Sequence, residues 1–230
     1  MTEEFFFHYT TEEAAIQIVL DGEIEASLGA DGDAVHGEGV YLTTLEPKYG
    51  LQTIMKNNWG GAAADRAKVD AYFEILLPSR EITRAKDKRD IQVYKGTLKL
   101  SDYKWNLRSF DTGDLLATQY FMISSEGEAM EEHSDIMGRY KLSKKNVTNC
   151  PPLSNVPVYK KDGGKFYLYL THRGNWIVSD VVGHSAGYIF QLNSGEPAPS
   201  PLKNLPWQYS SDANANGWKD DDTLKVYPCY

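Results

Sequence analysis

Only two cysteines, Cys150 and Cys229, occur in the 230 residues. That is too few for a disulfide framework or a zinc ribbon. No apolar run approaches the roughly 20 residues a membrane-spanning helix needs. The opening "MTEEFFFHYT" sets a short apolar run behind acidic residues, which is not a secretory leader. Positive charge is also scarce: 24 Lys and Arg face 32 Asp and Glu, for a net charge of −8. This argues against a nucleic-acid binder that works by broad phosphate neutralisation, and leaves open an enzyme that acts on a single nucleotide. A cytoplasmic setting is expected, with no membrane partner. The sequon Asn146-Val147-Thr148 then stays unmodified, since glycosylation requires secretion. The loop "DGDAVHGEG" holds Asp31, Asp33, His36 and Glu38 but lacks the full calcium-loop pattern, so a solvated loop and no metal are expected.

Apolar and charged fractions are ordinary for a globular protein, and the length suits one large or two small domains. Composition changes near residue 150. Trp59 and Trp105 are the only tryptophans before it, whereas the turn-rich stretch after "NCPPLSNVP" carries Trp176, Trp207 and Trp218. A boundary is expected between Gly113 and Pro157, with the acidic "EGEAMEEHSD" as linker, giving domains at 1–125 and 126–230.

In the first domain "EFFFHY" reads as a strand. Thr10 and Glu13 form a capping box for a helix with Ala15, Ile16, Val19 and Leu20 on one face, stopped by Gly22. "GVYLTT" reads as a strand, and a helix with Leu51, Ile54 and Met55 apolar starts near Pro47. "VDAYFEILLP" and "DIQVYKGTLKL" read as further strands. In the second domain "FYLYLT", "NWIVSDVV" and "YIFQLN", separated by "HRG" and "GHSAG", predict an antiparallel meander closed by "TLKVYP".

The order strand–"HYT"–helix, then "GEGVYLTTLEP", helix, strand and "RDIQVY" resembles the ADP-ribosyltransferase superfamily. Within it the closest likeness is to the His-Tyr-Asp signature, toxin-type group related to diphtheria toxin and the poly(ADP-ribose) polymerases. The resemblance covers roughly residues 4–103. It implies an α+β fold, a split mixed-sheet catalytic domain, here followed by a small antiparallel all-β module. It also implies NAD as substrate and a macromolecular acceptor, a protein rather than a nucleic acid. By resemblance His8 binds ribose, the Tyr9 backbone holds the nicotinamide carboxamide, and Tyr41 stacks on the nicotinamide after a turn shaped by Gly37 and Gly39. Tyr49 supplies a second ring. Asp90 bonds the ribose 2′-hydroxyl and stabilises the cation that forms when the nicotinamide–ribose bond breaks. That chemistry passes through an oxocarbenium-like state, which a placed carboxylate stabilises.

Glu74 and Glu81 compete with Asp90 for the acid. Glu74 sits mid-strand, where an inward carboxylate is costly to bury. An aspartate is one methylene shorter than glutamate, which points to mono-transfer or NAD hydrolysis rather than polymer elongation. "RAKDKRD" reads as a solvated connection, with NAD phosphates as its alternative ligand. The aromatic strands of the second domain read as core before sugar or peptide binding. The rival functions are an NAD glycohydrolase and a non-catalytic module that binds NAD, ADP-ribose or a partner.

Overall fold

β1 (Glu3–Thr10) opens the chain, and its alternation places Phe7 and Tyr9 on one face and Phe6 and His8 on the other. It belongs to a computed structural model that describes residues 2–28, 36–60, 66–143, 157–183, 186–191, 206–211 and 217–229. The chain divides into two units, Met1–Leu116 and Ala117–Tyr230, ahead of the expected residue 125. The difference arises because Tyr120–Ser124 forms a strand that pairs on both edges with strands of the second unit.

In the first unit Thr11 caps α1 (Glu12–Asp21), its hydroxyl accepting from the Ala14 amide at 3.1 Å. The cap falls one residue beyond the expected Thr10 because Thr10 is held in the β1 ladder opposite Ala71. Gly22 ends the helix in the left-handed conformation, φ 78°, and Ala15 and Val19 are buried. β2 (Glu23–Ile24) and β3 (Val40–Leu42) follow. The helix expected from Pro47 is broken. Pro47–Tyr49 makes one 3-10 turn, Gly50 leaves the helical region at φ 84°, and α2 runs Leu51–Trp59. Ile54 is buried, and Leu51 and Met55 pack with it on Phe7, Tyr9 and Tyr72.

β4 (Ala71–Pro78), β5 (Ile82–Arg84), β6 (Gln92–Tyr94), β7 (Leu98–Lys99), β8 (Lys104–Ser109) and β9 (Leu115–Thr118) complete the strands. The stretch "DIQVYKGTLKL" is therefore two strands, split at Gly96, φ 83°. One sheet runs β1-β4-β8-β9, a second β3-β6-β5, and β2 pairs with β7. Every pair whose register is defined here is antiparallel rather than mixed, because α1 and α2 do not return the chain to a parallel neighbour. Ala71, Phe73, Ile75 and Leu77 along one face of β4 are inaccessible, with Phe73 against Trp105 at 5.8 Å between centroids. Burial of side chains of this size contributes roughly 1.5–3 kcal/mol each. An isolated bridge, Phe7 to Thr43, ties the free edge of β1 to the chain just after β3.

Among the described residues, the strands of the second unit form one nine-stranded antiparallel sheet. Its strands are β10 (Tyr120–Ser124), β11 (Gly138–Ser143), β12 (Val158–Lys161), β13 (Tyr167–Leu170), β14 (Trp176–Ser179), β15 (Ile189–Gln191), β16 (Trp207–Ser210), β17 (Trp218–Asp220) and β18 (Lys225–Cys229). They follow one another in order from β10 to β17, and β18 returns to β10. β17 and β18 lie at opposite edges yet are joined by the short turn 221–224, so the sheet curls on itself. α3 (Glu128–Glu132) fills the seam: Glu128 accepts from the Tyr209 hydroxyl at 2.8 Å and from Lys219 at 3.0 Å. The Ala129 amide donates to Asp221 at 3.0 Å. The acidic stretch expected to be a linker is thus packed structure, since Ala129 is fully buried and Glu128 and Glu132 have partners on β16 and β17. The coarse α+β expectation holds, with the antiparallel sheet larger than a small module.

Candidate functional site

A cleft of about 500 Å³ opens in the first unit, lined among others by His8, Tyr9, Tyr41, Trp59, Lys68 and Arg89. β1 is held on both edges near this cleft. β4 pairs along one, and on the other the Phe7 amide donates to the Thr43 carbonyl at 2.8 Å while the Thr43 amide donates back at 3.0 Å. Backbone groups in a strand alternate edges, so the Tyr9 N–H and C=O point off the same edge as those of Phe7. Beyond Thr43 that edge meets the cleft. The Tyr9 ring turns into the core, its hydroxyl donating to the Leu45 carbonyl at 2.8 Å, which leaves the peptide as its share of the cleft wall.

His8 Nδ1 lies 3.0 Å from the Tyr41 carbonyl. A carbonyl only accepts, so Nδ1 carries the proton and Nε2 presents a lone pair. Burial pushes the imidazole pKa down, opposed by the bond to Tyr41, so the ring is held neutral.

Tyr41 is positioned by the turn before it. Its hydroxyl donates to the Gly37 carbonyl at 2.8 Å and accepts from the His36 amide at 2.9 Å. Gly37 sits at φ 100°, where a side chain would be strained. At Gly39 the need is for space: a Cβ would fall 2.4 Å from the Tyr94 carbonyl oxygen and 2.7 Å from Val93. These two glycines fix the phenol ring against the cleft.

The resemblance-derived acid sits differently. Arg89 and Ile91 line the cleft, whereas the Asp90 carboxylate between them turns to Thr43 and Thr44. One oxygen accepts from both hydroxyls, at 2.7 and 2.8 Å, and from the Thr44 amide at 2.6 Å; the other accepts from Gln92 at 2.8 Å. Burial opposes its ionisation, but these bonds outweigh it and hold the carboxyl below its ordinary range. Tyr49 is 51 % exposed and is not among the residues lining the cleft. Glu74 is paired with Arg108 at 2.9 Å, and Glu81 accepts from the Tyr103 hydroxyl at 2.5 Å, so the two competing acids are committed elsewhere. Asp31 and Asp33 lie outside the described residues.

Trp59, Lys68 and Asn57, at or behind the cleft, carried no sequence signal. Trp59, the last residue of α2, supplies the second aromatic wall, and Lys68 adds a cation from a short 3-10 turn. Asn57 is buried and clamps Asp90 from behind, its side chain accepting from the Asp90 amide at 2.7 Å and donating to its carbonyl at 2.9 Å. Arg89, from the basic "RAKDKRD", is braced by Asp87 at 2.7 Å and donates to His36 Nε2 at 3.1 Å. The arginine bond holds the Asp87 carboxyl below its ordinary range. Compared with protein-family models, curated proteins and solved structures, the chain matches none.

Proposed function

We propose that the first unit is an NAD-binding catalytic domain of the ADP-ribosyltransferase type. More specifically, the chain cleaves the nicotinamide–ribose bond of NAD and transfers one ADP-ribose to a macromolecular acceptor, a protein; NAD hydrolysis is the same reaction with water as acceptor.

The observation that carries this reading is the open edge of β1 at Tyr9. A peptide N–H and C=O side by side complement a primary carboxamide, which offers one acceptor and one donor in the same spacing. Nicotinamide has that group on an aromatic ring, and Tyr41 and Trp59 supply aromatic faces for the ring. The lone pair on His8 Nε2 accepts from a ribose hydroxyl, and Arg89 and Lys68 meet the phosphates. The ring nitrogen of nicotinamide leaves with the bonding electron pair. The cation left on the ribose takes an acceptor nucleophile, which gives up its proton. In this arrangement the ionised Asp90 acts on that cation through space, while its hydrogen bonds fix the turn after Tyr41.

A second reading has one observation in its favour: among the described residues no carboxylate lines the cleft, as suits a module that binds NAD or ADP-ribose without cleaving it. One experiment separates the two. NAD and nicotinamide are expected to raise the melting temperature, since a ligand of the native state stabilises it. Nicotinamide release is expected on incubation with NAD, and Tyr41→Ala removes both effects. A shift without release leaves the binding module; no shift at millimolar NAD sinks both readings.

A further inference from the structure

One face of the second unit's sheet carries a row of tyrosines and lysines that the cleft does not use. Register places Tyr120, Lys141, Lys160 and Tyr167 side by side across β10, β11, β12 and β13. Their neighbours in sequence, Phe121, Tyr140, Tyr159 and Leu168, are fully buried on the opposite face, while one end of the row is anchored by Tyr167, half-buried against Val158, Tyr169 and Ile177. Lys141 and Lys160 are exposed. Each lies over a tyrosine of the row, Lys141 at 5.7 Å from the Tyr120 ring and Lys160 at 5.9 Å from the Tyr167 ring. Arg139 covers Tyr120 from the next row at 4.7 Å, and Lys225 extends the face on β18. Asp162, paired with Arg139 at 2.6 Å, is the one carboxylate in ion-pair contact with these cations among the described residues. Eight of the unit's twelve acids are gathered instead in two stretches at the seam, Glu126–Asp135 and Asp220–Asp222.

We propose that this face binds single-stranded nucleic acid. Rings alternating with cations provide two things such a strand needs, stacking platforms for bases and ammonium groups for phosphates. Strands about 4.8 Å apart spread the row from Tyr120 to Tyr167 over about 14 Å, which accommodates a short segment. An acidic polypeptide would engage the lysines but leave the tyrosines without a role. The net charge of the chain opposes a broad polyanion footprint, and the concentration of most of this unit's acids in two stretches at the seam is what makes a local one possible. The surface is independent of NAD, so its test does not depend on the cleft.

Fluorescence anisotropy of a labelled single-stranded oligothymidylate with the full chain, without NAD, reads the binding directly. Binding is expected at low salt, weakening with a slope of about −2 to −3 in log affinity against log salt for up to four neutralised phosphates. Lys141→Glu with Lys160→Glu should weaken it at least about tenfold. Tyr120→Ala with Tyr167→Ala should also weaken it at least about fivefold, since stacking carries part of the affinity. Circular dichroism melts report the fold of each variant, and the exposed lysine pair provides a second route should the tyrosine pair misfold. Absence of binding at low salt overturns the proposal, as does binding unaffected by the lysine reversals. Binding in which polyglutamate competes equally and folded tyrosine variants match the unaltered chain overturns it in favour of an acidic protein partner.

Discussion

His8 works through the placement of one proton. The Tyr41 carbonyl fixes it on Nδ1, and burial disfavours a second on Nε2. The pKa in the folded state is lower than in the unfolded chain, where it is about 6.5. Below that value the unfolded chain takes up a proton that the folded one resists, so stability falls with pH from there down to the folded pKa. The midpoint of urea unfolding should therefore decline as pH falls below about 6.5. His8→Asn keeps an amide donor for the Tyr41 carbonyl and cannot titrate, so its curve should be flatter. NAD affinity should decline over the same window, because a protonated Nε2 no longer accepts. Superposable stability curves for the two proteins across that window would show that His8 is not held neutral.

At the scale of elements, Asp90 acts as a knot between α2, the turn after β3 and the start of β6, through Asn57, Thr43–Thr44 and Gln92. An asparagine there must set an amide against hydroxyl and backbone donors that now all converge on carboxylate oxygens. Loss of such a bond with the donor left buried costs on the order of 1–3 kcal/mol. Asp90→Asn is expected to lower the melting temperature and to weaken the NAD-induced shift as well as turnover. If it keeps both and loses turnover alone, Asp90 contacts ribose directly and the positional role falls. The strands that carry the site were legible: "FFFHYT" and "GVYLTT" are short apolar and β-branched or aromatic runs, and Gly37 and Gly39 announce an unusual turn. Side-chain direction in the segment leading into β6 was not legible. Arg89, Asp90 and Ile91 are adjacent in sequence, and only the pairing of Thr44 with Asp90 shows which of them turn to the cleft. Trp59 and Asn57 escaped because residues near a helix end leave no periodic trace. α3 was mistaken for a linker because its acidic composition hides the single buried Ala129.

At the scale of the whole molecule, each unit contains its own buried core. Phe73, Ile75, Leu77 and Trp105 serve the first, and Phe121, Tyr140, Tyr159 and Trp176 the second. Separate cores permit separate unfolding, so calorimetry should show two transitions. Ligand stabilisation acts on the state that binds, and the cleft lies wholly within the first unit. NAD should raise one transition and leave the other in place. The second can be moved independently through Asp221, which accepts from Ser125 at 2.7 Å, from Thr223 at 2.6 Å and from the Ala129 amide at 3.0 Å. These bonds hold its carboxyl below the ordinary range against the opposing effect of burial. Asp221→Ala unties α3 from the β17–β18 turn. For a unit of about 100 residues each kcal/mol lost lowers the midpoint by about 4–8 °C. The transition insensitive to NAD should fall by at least that much, and the NAD-dependent one should stay. Because the Asp221 carboxylate stabilises only while ionised, the gap between Asp221→Ala and the unaltered chain should be full above about pH 4 and close as pH falls through the lowered folded pKa. A single transition that NAD and Asp221→Ala both displace would mean that the two units unfold together, and the independence of their functions would fail with it.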